Sequence, residues 1–563
     1  MRIGKGRVAV TFRDKVIYQI YPKSFQDSDG NGVGDLRGII ERIPHLVNLG
    51  VGMVWISPFF VSPQHDNGYD IADYLNVDPS MGTMEDVEKL ISQLRDHNIG
   101  VMFDMVFNHT STSHEWFQRA LAGERRYRDY YIIRPPHPDG GLPNNWESKF
   151  GGAAWAPFGD SGEYYLHLFD PTQADLDWRN PEVRREMADV VNFWIAKGVT
   201  GFRFDVVNLI GKLPELASSA EGVDPRVMYT DGPDVIPYLR ELNSSSYGRL
   251  PDPVTVGEMS STSIERCVAY TNPDAGVLDM VFSFIHLKID YLDGNKWALA
   301  PYVPADLKRV LNEWAEGMEE GGGWNALFLN NHDQPRALDR FGDPEALRVE
   351  SATMLATMIH LLRGTPFIYM GEEIGMTDPE YTSIDDYVDI ESLNAYQALL
   401  EADVDPEKAF AIVHARSRDN GRTPMQWDGG KNAGFTEGTP WLAPTNQERI
   451  NVADELATGR IFQHYRDLIA LRKHRRAISH GSYRIWDADH EGVYAYLRRQ
   501  DDSEILVLCN LTGEATSIPI PHRFLGGEIL IDNYPGSGTV IVPDLSLAPY
   551  QALALHQGVK NDD

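Results

Sequence analysis

A chain of 563 residues with 51 Lys and Arg against 82 Asp and Glu carries a formal net charge of −31. Its length exceeds a single core and implies about two to four domains. Its charge excludes nucleic acid and anionic membrane as partners held by the mean field, and would demand a local basic patch for any anionic substrate.

In chain order, short apolar runs of strand character alternate with amphipathic helical stretches. The run 16–20 leads into an Asp/Gly-rich loop at 27–35 and a helical stretch at 36–49. Runs at 51–57 and 100–106 follow, with a helix at 84–97 between them. Then come about 70 residues rich in Pro, Gly, Trp and Tyr before the helix at 181–197, too long for a plain loop and expected to be a small inserted domain. Runs at 201–206, 254–258, about 280–284, 326–330 and 366–370 complete the series, with a helix at 304–317. This repetition predicts a (β/α)₈ TIM barrel with its active site on the loops after the strands. A second insertion spans 371 to about 427, and from about 480 alternating runs at 492–497, 504–510 and 539–542 predict an antiparallel β domain. The expected organisation is an α/β barrel from 1–108 and 179–479, an inserted domain at 109–178 after the third strand, and a C-terminal β-sandwich at 480–563.

Three acids stand at strand ends: Asp205, Glu258 and Asp333. Arg203 lies two residues before Asp205, so both side chains leave the strand on one face. A carboxylate at the end of a buried strand is costly unless it is paired or working. A retaining glycosidase needs such a set, with nucleophile and acid/base about 5–5.5 Å apart. Asp205 is the expected nucleophile and Glu258 the acid/base, its apolar neighbours helping to raise its pKa. Asp333, beside His332, would bind sugar hydroxyls and favour the oxocarbenium-like state, and Arg203 would keep Asp205 ionised.

The loop Asp27-Ser28-Asp29-Gly30-Asn31-Gly32-Val33-Gly34-Asp35 places oxygen side chains at alternate positions with glycines between. That pattern suits Ca²⁺ held by Asp27, Asp29, Asn31, Asp35 and the Val33 carbonyl, in a structural role between the first strand and first helix. The glutamate that closes an EF-hand is missing, so a calcium sensor is not expected.

The strings Asp104-Met105-Val106-Phe107-Asn108-His109, 201–208, Val256-Gly257-Glu258-Met259 and Asn331-His332-Asp333 resemble, in order and spacing, the four short regions of the α-amylase family of glycoside hydrolases (family 13). The resemblance covers essentially the whole chain and implies the barrel, the inserted domain, the C-terminal β domain and retention of configuration. Asp66-Asn67-Gly68-Tyr69-Asp70 and Ser417-Arg418-Asp419-Asn420 resemble the oligo-1,6-glucosidase-like group within that family. This implies a closed pocket for one terminal glucose: Asp66 paired with Arg418, Tyr69 stacked on the sugar, His109 and His332 on its hydroxyls, and Gln173 beside them. Val206 resembles the residue found in enzymes acting on α-1,6 and related links.

The strings at 229–233, 257–262, 286–291, 294–297 and 321–328 resemble members of that group that hydrolyse trehalose 6-phosphate. The resemblance implies cleavage of the α,α-1,1 bond, with the phosphorylated glucose outside the closed pocket. His286, Lys288 and Lys296 would then clamp the phosphate, with Arg336 and Arg340 as lesser helpers. The alternative is an oligo-1,6-glucosidase acting on isomaltose and short isomalto-oligosaccharides. A transglycosylating isomerase and a non-catalytic, membrane-anchored subunit rank behind these, the last because all three acids are intact. The expected partner is a small sugar phosphate or disaccharide, with no nucleic acid, membrane or organic cofactor; oligomeric state is left open. The two cysteines, Cys267 and Cys509, lie far apart in sequence, residues 1–12 show no apolar leader, and no apolar run reaches membrane length, so a reduced, cytoplasmic setting is expected.

Overall fold

The structure is a computed structural model and describes residues 11–557 apart from 275–276, 535 and 537–538. The chain ends within the expected outer domains, 1–10 and 558–563, lie outside the described residues.

Eight parallel strands form the barrel: β1 (Ile17–Ile20), β2 (Met53–Ile56), β3 (Gly100–Met105), β4 (Gly201–Phe204), β5 (Val254–Glu258), β6 (Met280–Phe282), β7 (Ala326–Leu327) and β8 (Thr365–Tyr369). Seven ladders link them, β1 through β6 in sequence, β7 to β8, and β8 back to β1. A single parallel bridge, Val281 to Asn325, closes β6 onto the start of β7. Apart from Gly100 at the start of β3, the strands are buried along their whole length, which is why they read as near-continuous apolar runs rather than alternating ones. Register then sets the inner charges. Arg203 of β4 pairs with Asp104 of β3 and with Val256 of β5, so a guanidinium enters the barrel beside a carboxylate.

Helices close the outer layer, each started by recognisable chemistry. Asn180 caps Pro181–Lys197, whose first residue is proline, and Gly198 ends it in the left-handed region at φ 103°. Thr83 and Asp86 form a capping box on Met84–Asp96.

After β3 the chain leaves the barrel. His109–Ser111 pairs antiparallel with Gln173–Asp175, and beyond that neck lies a three-stranded sheet of Ile133–Arg134, Tyr164–Leu166 and Trp155–Pro157. Its aromatic core includes Trp146, Trp155, Leu166 and Leu168, and reaches Val206 and Leu209 at the end of β4. The inserted domain is therefore packed onto the turn that follows Asp205.

Residues 482–556 form a five-stranded antiparallel sheet in the order Ser482–Trp486, Val493–Gln500, Ser503–Asn510, Ala552–His556, Glu528–Asp532. A second, two-stranded sheet pairs Thr516–Pro519 with Asp544–Leu547; the strand expected at 539–542 lies at Asp544–Leu547 instead. Alternation sorts the faces: Val493, Ala495, Leu497, Leu506 and Leu508 pack between the two sheets, while Tyr494, Tyr496 and Val507 face the barrel core.

Candidate active site

The catalytic acids meet around Arg203. This arginine is fully buried. Its Nη1 donates to Asp104 Oδ1 and to Asp205 Oδ1, each at 2.6 Å, and its Nη2 donates to Glu258 Oε2. The two terminal nitrogens of one guanidinium thus hold the nucleophile and acid/base candidates side by side. Beside the apolar neighbours expected from sequence, Glu258 thus has this guanidinium as a polar partner. Asp104 is further held by Tyr69 Oη (3.0 Å) and Trp55 Nε1 (3.2 Å). Burial and the nearby Asp205 push the Asp104 carboxyl up, against the pull of Arg203.

Val206 follows Asp205 at φ 36°, ψ 40°. A β-branched residue in the left-handed region costs about 1–3 kcal/mol. The turn swings the chain off the strand and sets the Val206 side chain in the wall of the site cavity.

Asp333 lies opposite. Arg422 Nη2 donates to its Oδ1 at 2.7 Å, Arg418 Nη1 lies 3.5 Å away, and His332 Nε2 sits 3.2 Å from its Oδ2. Burial pushes the Asp333 carboxyl up, but His332, Arg418 and Arg422 outweigh it and hold it well below the usual carboxylate range. Gln19 Nε2 donates to His332 Nδ1 at 2.9 Å, which leaves the proton on Nε2 facing Asp333. Burial pushes this imidazole down to about 3, so it is neutral, and its Nε2 has no hydrogen-bond partner among the described residues.

The expected glucose pocket assembles from both ends of the chain. Arg418 Nη2 reaches Asp66 Oδ1 at 3.2 Å across 352 positions, and Gln173 Nε2 donates to Asp66 Oδ2 at 3.1 Å. Burial pushes the Asp66 carboxyl up to about 7 despite Arg418. His109 Nε2 donates to the Tyr69 carbonyl at 3.0 Å. Tyr69 lies flat against His332, ring centroids 5.1 Å apart and 3° from parallel. Sequence reading did not pick out Asp389, which takes Arg418 Nη2 at 2.6 Å and Nε at 2.9 Å, nor Arg422 or Asp104. Asp104 opened a quoted motif without being given a role, and Arg422 stood just after one; Asp389 carried no local signal.

The basic residues divide. Lys288 and Lys296 line a cavity of about 250 Å³ with Glu258, Asp333, Arg418, Val206 and Glu391. Lys296 is already paired, its Nζ 2.6 Å from Glu391 Oε2. His286 is a correction. The short 3₁₀ turn Ile285–Leu287 rotates it inward, its Nε2 donates to the Phe328 carbonyl at 2.8 Å, and it lines a separate small cavity with Val310 and Trp314. Burial pushes it down to about 4, so it brings no charge to a phosphate. Arg336 is spent on the carbonyls of Met370 and Gly421. Arg340 and Arg416 both grip Asp290 at 2.7 Å, anchoring the loop that carries Lys288 and Lys296. One more lysine lines the cavity, Lys149 of the inserted domain; its sequence setting, Ser148-Lys149-Phe150, gave no hint of it.

The metal-loop carboxylates converge: one oxygen each from Asp27, Asp29 and Asp35 lies within 4.8 Å of the others. Asn31 and Val33 are joined through a bond from the Val33 amide to Asn31 Oδ1 at 2.8 Å. Gly32 is required here, because at φ 92° a Cβ would meet the Thr439 carbonyl oxygen at 1.9 Å.

A model of the α-amylase catalytic domain matches residues 19–481, and one of the maltogenic amylase C-terminal domain matches 483–553. The chain belongs to the α-amylase family of glycoside hydrolases. It is 48% identical over 549 residues to trehalose-6-phosphate hydrolase of Bacillus subtilis strain 168, covering 96% of this chain and 97% of that one. It is 43% identical over 554 residues to oligo-1,6-glucosidase of Parageobacillus thermoglucosidasius, covering 96% and 98%. The crystal structure of Bacillus licheniformis trehalose-6-phosphate hydrolase superposes with a TM-score of 0.92 at 47% identity, covering 97% of this chain and 99% of that one.

Proposed function

We propose that this chain is a retaining α-glucosidase that hydrolyses trehalose 6-phosphate to glucose and glucose 6-phosphate. The observation that carries the reading is the cavity beside the acids. It touches Glu258 and Asp333, meets the glucose pocket at Arg418 and reaches none of Asp66, Tyr69, His109 or Gln173, so it extends from that pocket toward the leaving-group side, and it is lined by lysines in a chain of net charge −31. The similarity to trehalose-6-phosphate hydrolases supports the same reading. The phosphorylated substrate also favours a cytoplasmic setting; among the described residues, no helix is long and apolar enough to cross a membrane.

In the mechanism, the unphosphorylated glucose enters the pocket of Asp66, His109, Gln173, His332 and Arg418. Asp205 attacks its anomeric carbon while Glu258 gives a proton to the bridging oxygen. The C–O bond breaks, and glucose 6-phosphate leaves with that oxygen. Glu258, now a base, takes a proton from water, which releases the glucosyl group from Asp205. Asp333, kept ionised by Arg418 and Arg422, stabilises the positive charge that develops on the ring. Both sugars are therefore released as α anomers: one by double displacement, the other because its own anomeric bond is never cut.

Oligo-1,6-glucosidase activity is the second reading, favoured by Val206 in the cavity wall and by the Parageobacillus relative. Proton NMR of trehalose 6-phosphate turnover tests the first. Equal early amounts of α-glucose and α-glucose 6-phosphate are expected; a β product, or turnover confined to isomaltose, would overturn it.

We also propose that Asp27, Asp29, Asn31, Asp35 and the Val33 carbonyl hold Ca²⁺. The donor set fits a hard cation, which would neutralise the converging carboxylates and brace the loop. The loop is tied to the post-barrel segment by bonds from the Asp27 amide to the Phe435 carbonyl (3.0 Å) and from the Trp441 amide to the Gly32 carbonyl (3.0 Å).

A further inference from the structure

We propose that Lys149 of the inserted domain and Lys288 of the loop after β6 together form the subsite for the leaving sugar's phosphate, so that the inserted domain helps select the substrate. This subsite rests on the trehalose 6-phosphate reading and supplies the residues that would enforce it.

Three lysines and one arginine line the cavity: Lys149, Lys288, Lys296 and Arg418. Arg418 is spent on Asp66, Asp389 and Asp333. Lys296 is spent on Glu391. A nearby cation, Arg226, is held by Asp224 at 2.9 Å. Lys149 and Lys288 alone among these have no carboxylate within ion-pair distance among the described residues. Lys149 has the Tyr229 ring, 5.2 Å from its Nζ, and feels Asp224 from beyond ion-pair distance, a carboxylate already bonded to Arg226.

Both lysines are partly withdrawn from water. Burial lowers Lys149 to about 8, with Arg226 and Lys288 pushing the same way, and burial and Arg226 lower Lys288. Two uncompensated ammoniums on one cavity are costly in the empty protein. A phosphate monoester carries about −1.5 to −2 charges at pH 7, which matches the two positive charges left over. An uncharged isomaltose offers them nothing. The placement also fits the fold, because Lys149 follows Trp146 and Ser148, buried residues of the inserted domain, and its amide donates to the Leu168 carbonyl at 2.8 Å. The lysine is thus carried by a packed segment.

The test uses the full-length protein as wild type and as K149A, K149R, K288A and K149A/K288A. Trehalose 6-phosphate, trehalose and p-nitrophenyl α-glucoside serve as substrates, and glucose 6-phosphate and glucose as product inhibitors. Loss of one charge-assisted contact predicts a rise of about ten- to a hundredfold in KM for trehalose 6-phosphate in K149A. The expected loss on the aryl glucoside is at least tenfold smaller. Glucose 6-phosphate should weaken as an inhibitor relative to glucose, K149R should recover most of the discrimination, and the double variant should hardly distinguish trehalose from its phosphate. An equal loss on both substrates, or unchanged preference for the phosphate in K149A, would overturn the assignment of Lys149. A wild type indifferent to the phosphate would overturn the underlying reading as well.

Discussion

On the glucose side of the catalytic acids, the charged groups are mutually paired: Arg418 with Asp66 and Asp389, Arg422 with Asp333, Arg203 with Asp104, Asp205 and Glu258. On the leaving-group side, Lys149 and Lys288 face a cavity without such partners among the described residues. A site for a neutral sugar can be completed by the protein's own acids, and each hydroxyl then meets a group whose orientation is already fixed. A site for a dianion has to leave its cations uncompensated until the substrate arrives. The two sides of one bond thus follow from the charge of the sugar each receives.

Perturbing each side in turn should separate them. Asp205→Asn should remove the chemistry common to both sides: kcat falls by about four orders of magnitude or more on every substrate, while circular dichroism and Tm stay near wild type. Arg418→Ala should break the paired side. It takes from buried Asp66 and Asp389 their nearest cation, so stability falls by about 3–5 kcal/mol in chemical denaturation, and kcat/KM drops alike for phosphorylated and neutral substrates.

The other side should respond selectively. Lys288→Ala is expected to raise KM for trehalose 6-phosphate about tenfold or more. Lys296→Ala should cost about threefold, because its charge is shared with Glu391; equal effects would show that the Glu391 pair does not spend that charge.

Two smaller effects concern the frame. His332 has its pKa lowered from 6.5 to about 3 by burial. A depressed folded value means its contribution to stability is present above about pH 6.5 and is lost as pH falls toward 3; a His332→Gln variant should show a shallower loss of Tm over that window. From the proposed Ca²⁺ site, a chelator is expected to lower Tm by a few degrees without altering the ratio of activities on charged and neutral substrates. A changed ratio would mean the metal loop reaches the site.

The paired side was largely legible in the sequence; of the open side, only Lys288 was, through family resemblance. Strand-end acids announce themselves, because an apolar run ending in Asp205 or Glu258 has no cheap structural reading. Arg203 was legible through the two-residue period of a strand, and β3–β4 register then added Asp104 beside it. Asp66 and Arg418, 352 positions apart, were joined only through family resemblance. No local pattern links Lys296 to Glu391, 95 positions away, so its neutralisation was invisible. His286 was misread because one 3₁₀ turn decides whether it faces the cavity or the Phe328 carbonyl. Lys149 was missed because the inserted domain brings it to the cavity through tertiary packing alone.

The most direct test of a phosphate site beside the acids is kcat/KM measured side by side for trehalose 6-phosphate, trehalose and isomaltose with the unmodified protein. A preference of about a hundredfold or more for the phosphorylated sugar over trehalose is predicted, from two charge-assisted contacts that only the phosphate can make. Equal rates on trehalose and its phosphate, or a preference for isomaltose, would contradict it: the acids would keep their roles, and the unpaired lysines would not be a phosphate site.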